Sequence, residues 1–375
     1  MSDSTPRETP LAQVHERLGA TFTSFAGWRM PVHYSGHLRE HAAVRTSVGL
    51  FDLSHMGELR VTGAQAARFL DYALVVHASA MTVGRARYTL LCTPSGGILD
   101  DLVVYRTGEE QFLVIANAAN VATVFAEFAA RAEGFAAEVA DVSDSYALLS
   151  LQGPRAAEVL APLTGTDLAA VKYYTCTEAT VVGVPALLAR TGYTGEDGFE
   201  LYVSPPDVPA VWAAVQEAGE PAGIVPAGLA CRDTLRLEAG MPLYGNELTV
   251  DVTPLHAGLG WAVPKEKPGD YVGRAALEKY VESGTPTGLV GLAGTGRRSP
   301  RSGYPVLDPR SGQSVGTVTS GALSPTLGYP VAMAYVPRSF EEPGIELVVD
   351  IRGAAAPVRV VKRPFYKRPA ASGGR

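Results

Sequence analysis

Between residues 87 and 117 three apolar runs, RYTLLCT, ILDDLVVY and QFLVIAN, follow one another with only turn-length gaps. Parallel strands need a crossover of a dozen residues or more, so runs this close together pair as antiparallel neighbours. A regular β-α-β alternation is thereby excluded here. Helical patterns flank the three runs. GAQAARFLDYAL (63–74) precedes them, and NAANVATVFAEFAARAEG (117–134) follows, with Val121, Val124, Phe125 and Phe128 on one face and a glycine at its end. Further on, the strand-like YALLSLQ (146–152), VVGVPALLARTG and FELYVSP mix irregularly with the helical GPRAAEVLAPL, PPDVPAVWAAVQEAG and GLACRDTLRLEAG. This order predicts an α+β fold of antiparallel sheets with helices packed on them. After about residue 285 the texture changes to glycine, proline and short β-type runs without a helical pattern. That stretch reads as an all-β barrel or sandwich ending in IELVVDIRG and APVRVVK, with a disordered tail.

A chain of 375 residues exceeds what one hydrophobic core supports, so two or three domains are expected. The net charge of -6 argues against nucleic acid as the main partner. No apolar stretch approaches the ~18 residues of a membrane span, and MSDSTPRETP lacks the apolar segment of a signal peptide. Three scattered cysteines, Cys92, Cys176 and Cys231, form no Cys-x-x-Cys pair, so neither a disulfide framework nor a zinc knuckle is indicated. A cytoplasmic location is the expectation.

Within GGILDDLVVY, Asp100 and Asp101 interrupt an apolar strand, where aspartate is depleted. Alternation sends Asp100 to the face of Ile98, Leu102 and Val104, and Asp101 to that of Leu99, Val103 and Tyr105. If both faces are covered, one carboxylate needs a partner or a function. In RTGYTGEDGFELYV (190–203) glycines at 192, 195 and 198 suit a tight loop, and Glu200 follows inside a strand. Glu200 is open to two readings, an exposed strand face or a carboxylate gripping an amidine-like edge such as that of a pterin. Arg232, Arg236 and Glu238 in CRDTLRLEAG read either as helix-surface ion pairs or as functional groups. HLREH (37–41) fits a zinc-protease pattern, but a third ligand is missing and a polar helix face is expected; no metal is expected. GTGRR (294–298) is followed by Ser-Pro and not by a helix, so it fails as a dinucleotide loop.

Taken together, FAGWRMPVHYSG, VGLFDLSHMGEL, GGILDDLVVY, LLSLQGP, RTGYTGEDGFEL, CRDTLRLEAGMPLYGNEL, VGTVTSGALSPTLG and KRPFYK resemble the glycine cleavage T-protein family of folate-dependent aminomethyltransferases, in family order from about residue 10 to 368. The resemblance implies a three-domain cloverleaf around a central folate site. Its expected parts are a discontinuous first α+β domain (1–52 and 144–262), a second α+β domain (53–143), a connecting segment (263–284), a C-terminal β-barrel or jelly-roll-like domain (285–368) and a disordered tail (369–375). It also implies transfer of a methylene group from the S-aminomethyl arm of a lipoylated H protein to tetrahydrofolate, releasing ammonia. Asp101 would be the essential acid. Glu200 and Arg232 would bind folate, with Tyr88, Tyr193, Met56, Asn117, Tyr173, Tyr244 and Tyr366 around it. Two related classes are weighed against this reading. They are folate-binding iron–sulfur assembly proteins, whose cysteine motif is missing from RTGYTGEDGFE, and folate-dependent demethylases.

A lipoyl carrier of this kind tends to be acidic, so a basic docking face is expected. The candidates are Arg297, Arg298 and Arg301 in one stretch, and Lys362, Arg363, Lys367 and Arg368 in another. The alternative is that these charges only keep a loop solvated.

Overall fold

The computed structural model describes residues 5–369. The expected disordered tail falls almost wholly outside them.

The three closely spaced runs become strands Ala86–Cys92, Ile98–Gly108 and Gln111–Ala116, paired antiparallel in chain order. Gly57–Thr62 and Glu138–Asp141 complete a five-stranded sheet. Helices Ala66–Ala73 and Val121–Arg131 cover one face, where Phe69 and Phe128 meet edge to face at 5.5 Å above Leu102, Val104 and Phe112. The apolar stripe of each helix is thus buried against the alternate residues of the strands.

A six-stranded sheet runs in the order Cys176–Val181, Val184–Ala189, Gly198–Val203, Ala147–Gln152, Gly49–Asp52, Val225–Pro226. Gly49–Asp52 lies before the five-stranded sheet in sequence and Ala147–Gln152 after it, yet the two pair side by side. The whole five-stranded unit is therefore inserted between neighbouring strands. Its second face, carrying Val103, Tyr105, Leu113 and Ile115, packs on Phe51, Leu148, Tyr202, Cys231 and Leu235. Helix Val208–Gly219 closes the other side of the six-stranded sheet through Val211, Trp212 and Val215.

Beyond residue 285 the chain forms a closed six-stranded barrel from Thr287–Gly294 to Ala354–Val361, around Leu292, Val306, Ala334, Val336 and Val349. Helix Leu229–Glu238 is wedged against it, with Leu237 packed on Leu289, Val331 and Met333. The fold is α+β with a barrel, as expected. Two elements were not anticipated. Helix Arg274–Ser283 lies in the stretch read as a connecting segment, and Thr21–Phe25, Trp28–His33 and Arg7–Glu8 form a small sheet of their own. No helix among the described residues is long and apolar enough to cross a membrane.

Candidate functional site

The double-glycine turn sets the register of the central strand. Gly96 has φ +85°, and a Cβ on Gly97 would lie 1.8 Å from the carbonyl oxygen of Val250. Only glycine lets the backbone approach so closely. From there the Ile98 N–H donates to the carbonyls of Thr249 (3.1 Å) and Val252 (3.0 Å).

Alternation then separates the two aspartates. Asp100 is fully buried on the helix-covered face, whereas Asp101 is half-buried on the face shared with Tyr105. Asn117, just past the end of Gln111–Ala116, joins them. Its backbone N–H donates to Asp100 Oδ2 (3.0 Å), and its Nδ2 lies 2.8 Å from both Asp100 Oδ1 and Asp101 Oδ1. Asn120 Nδ2 donates to Asp100 Oδ1 (2.7 Å), and the Tyr88 hydroxyl donates to Asp101 Oδ2 (3.1 Å).

Burial, then the charge of Asp101, pushes the Asp100 carboxyl up to about 7, against the amide hydrogen bonds of Asn117 and Asn120. Burial also pushes Asp101 up to about 6; the bonds from Tyr88 and Asn117 oppose this, and the charge of Glu247 adds to it. Carboxylates bridged by one amide titrate as a pair, and burial holds both above the usual carboxylate range.

Glu200 sits in Gly198–Val203 opposite Ser150 and Ala189. Its Oε2 accepts hydrogen bonds from Thr191 (2.5 Å) and Tyr105 (3.3 Å), while Oε1 receives none among the described residues. It is a half-buried carboxylate raised by burial, not a residue on an exposed strand face. The Arg232 guanidinium lies 4.7 Å from the centre of the Tyr193 ring and makes no hydrogen bond or ion pair among the described residues. Burial lowers its pKa, while Tyr193 and Glu200 favour its charge. Tyr193 is fixed by donating its hydroxyl to the Pro242 carbonyl (2.5 Å).

Met56 packs in the cluster between the two sheets, and Tyr244 shares a cluster with Tyr88. Tyr173 is 48 % exposed, edge-on to Tyr174, with Arg368 over its ring at 5.8 Å. Tyr366 lies under the Arg45 guanidinium at 4.0 Å, in a different polar cluster from that of Asp101.

Arg236 and Glu238 are not surface groups. Arg236 is buried against Glu247 (3.0 Å) and Ser320 (2.7 Å). Glu238 is buried against Arg45 (2.8 Å), Ser324 (2.5 Å) and Thr326 (2.8 Å), with His41 at 3.1 Å. His41 is thus committed to this cluster, whereas His37 is exposed. Glu40 of the same motif is buried and accepts the backbone N–H groups of Tyr34, Ser35, Gly36 and Gly228. The HLREH segment is a structural device and only its first histidine lies on a polar helix face.

Of the basic docking candidates, Arg297, Arg298, Arg301, Lys362, Lys367 and Arg368 are exposed. Arg363 is not available. Its guanidinium turns inward to the carbonyls of Ala257 and Leu289, both at 3.2 Å, tying the barrel to the preceding loop.

Sequence reasoning passed over Tyr105, Asn120 and Glu247. Tyr105 was findable, since it shares the Asp101 face of one strand. Glu247, fully buried with Oε1 unpartnered, carried no local signal.

Residues 11–267 match the family model of the GCVT N-terminal domain, and residues 288–367 that of the glycine cleavage T-protein C-terminal barrel domain. A protein named aminomethyltransferase from Saccharopolyspora erythraea is 61% identical over 367 residues, covering 98% of this chain and 100% of that protein. One of the same name from Streptomyces coelicolor is 57% identical over 372 residues, with 98% and 100% covered. The crystal structure of glycine cleavage system aminomethyltransferase T from Bartonella henselae superposes with a TM-score of 0.91 at 39% identity, covering 97% of this chain and 99% of that one.

Proposed function

The chain belongs to the glycine cleavage T-protein family and is an aminomethyltransferase of the glycine cleavage system, and we propose that it performs the transfer at the Asp100–Asp101 centre with tetrahydrofolate as acceptor. The methylene of an S-aminomethyl group on a lipoylated H protein passes to the folate. Its bonds to sulfur and to the amine nitrogen break, and bonds to N5 and N10 form. The two protons leaving those nitrogens end on the thiol and on ammonia.

The observation that carries this reading is the Asp101 carboxylate, held by Tyr88 and Asn117 on a rigid strand in a water-poor interface. Such a group stabilises the cation that develops as the amine departs, by about 4 kcal/mol for a contact near 4 Å at an effective dielectric of 20. Asp100 serves a different end. Facing the core, it fixes Asn117 and so the orientation of Asp101.

The acceptor fits the remaining groups. Glu200 offers a free carboxylate edge to the amino and ring N–H groups of a pterin, and Tyr193 and Tyr88 offer ring faces. Arg232, whose half-buried guanidinium makes no hydrogen bond or ion pair among the described residues, answers an oxygen-bearing edge of the ligand. Met56, packed between the two sheets, and Tyr244, packed with Tyr88, would complete the lining, whereas Tyr173 and Tyr366 pair with Arg368 and Arg45.

The test is formation of methylene-tetrahydrofolate and ammonia from aminomethylated H protein, run beside simple methyl donors. Asp101→Asn is expected to lower turnover by roughly 100-fold or more, about 2.7 kcal/mol, with folate binding kept. Asp100→Asn is expected to do much less. Equal losses in the two variants would remove Asp101 from its special role.

A further inference from the structure

Trp261 is 71 % exposed, more than any other large apolar side chain among the described residues. Its backbone is well anchored. It sits in the turn Gly260–Ala262, where the Ala262 N–H donates to Leu259 and the Val263 N–H to Gly260. Leu259, Ala262 and Val263 pack into the cluster that holds Leu90, Leu248 and Tyr88. The core beneath is therefore closed without the indole, which a rigid turn presents to solvent. Tryptophan is enriched at contact surfaces because its large apolar ring carries a polar N–H.

What it presents is directly connected to the reacting centre. The indole lies nearly parallel to the Tyr88 ring, with centroids 5.7 Å apart and planes at 27°. The Tyr88 hydroxyl in turn donates to Asp101 Oδ2. One aromatic ring, that of Tyr88, thus lies between the inner face of Trp261 and the Asp101 carboxylate. Val250, 48 % exposed, belongs to the neighbouring loop that closes on Gly97.

We propose that the outer face of Trp261 seats the sulfur-bearing hydrocarbon arm of the aminomethyl donor as it enters towards Asp101. This rests on the aminomethyl-transfer reading and names the subsite for its donor. The arm is a chain of methylenes ending in two sulfur atoms. Methylenes gain by covering an aromatic face, and divalent sulfur makes favourable contacts with aromatic rings. The polar groups deeper in the site, Glu200 and Arg232, suit a ligand of the opposite character.

The experiment uses dihydrolipoamide as the probe, titrated into the full chain and followed by calorimetry and tryptophan emission. Trp212 is buried and Trp28 is half-buried under the Arg7 guanidinium, so the emission change is assigned to Trp261 by its loss in Trp261→Phe. Trp261→Ala is expected to weaken dihydrolipoamide about fivefold or more, and Trp261→Phe to restore most of the affinity while losing the emission change. Thermal unfolding and folate affinity are expected to match the parent. With aminomethylated H protein, KM rises in Trp261→Ala while turnover at saturation stays within about twofold. Unchanged dihydrolipoamide affinity in Trp261→Ala overturns the proposal. So does a loss confined to folate affinity or to turnover, which would mean that the indole acts through Tyr88. In either case product formation by the parent protein still stands. Absence of that product in the parent would instead overturn the functional reading.

Discussion

Asp101 keeps its carboxylate only against its surroundings. Burial raises its pKa to about 6, and the hydrogen bonds from Tyr88 and Asn117 hold it from rising further. The charged form is the one that stabilises a departing cation, so activity is expected to rise with pH through about 6. Tyr88→Phe removes a donor that favours the charge. Its acid limb is therefore expected at higher pH than in the parent, with folding retained. A pH–rate profile in which the limb stays put or moves lower would show that Tyr88 does not tune Asp101. Which aspartate faces which layer was legible from period-two alternation. The bridging amide of Asn117 was not, because it depends on where a separate strand ends.

At the scale of elements, the strand Ile98–Gly108 owes its placement to the turn before it. A Cβ at position 97 would collide with the backbone of Val250, which cannot rotate away as a side chain can. Gly97→Ala must therefore push apart the turn and the 249–252 loop that receives the Ile98 N–H. The expected result in chemical denaturation is a loss of roughly 2 kcal/mol or more, with lower turnover because Asp100 and Asp101 shift together. Parent-like stability and turnover would show that the close approach is not what fixes the strand. The glycines of RTGYTGEDGFEL have a similar cause. Added Cβ atoms at Gly192 and Gly198 would lie 2.1 Å and 2.4 Å from the Gln152 amide. A tight loop was readable there, but the residue it tightens around was not. Helix Leu229–Glu238 shows the same limit, since its spacing singled out Arg232, Arg236 and Glu238 but not that the last two enter the barrel interface.

Across the whole molecule, Glu238 is the point where the parts meet. It takes hydrogen bonds from Arg45 of the helix His37–Thr46 and from Ser324 and Thr326 of the barrel, while Arg45 also binds Glu196 (2.9 Å). Burial opposes the Glu238 charge, but the bonds from His41, Ser324 and Arg45 outweigh it and lower the pKa to about 2. A depressed carboxylate contributes stability above its unfolded value and loses it as pH falls from about 4.5 to about 2. Glu238→Gln is expected to lose roughly 3 kcal/mol at neutral pH and to show a shallower stability decline over that acid window. A variant with the parent's acid sensitivity would place the acid-labile contact elsewhere. The exposed Arg297 and Arg298 bear on the partner. If they meet an acidic carrier, reversing both to Glu raises KM for H protein and flattens its salt dependence, leaving turnover at saturation unchanged. An unchanged KM at low salt would assign this patch to solvation alone.

The chain by itself determined what depends on neighbours in sequence. Turn-length gaps dictated antiparallel pairing, glycine and proline density marked the barrel, and alternation put Asp100 and Asp101 on opposite faces. Rare motifs in family order sufficed to point to the T-protein family. What only the tertiary structure decided are relations between distant segments. Gly49–Asp52 pairs across an inserted sheet, Asn117 bridges two carboxylates, and Tyr105 reaches Glu200 from the strand that carries Asp101. Arg363 turned from an expected surface charge into a buried tie, since its backbone position left three carbonyls within reach of its guanidinium. Local periodicity fixes which way a side chain points. It carries no information about what another part of the chain brings to meet it, and burial and hydrogen bonding are set by that meeting.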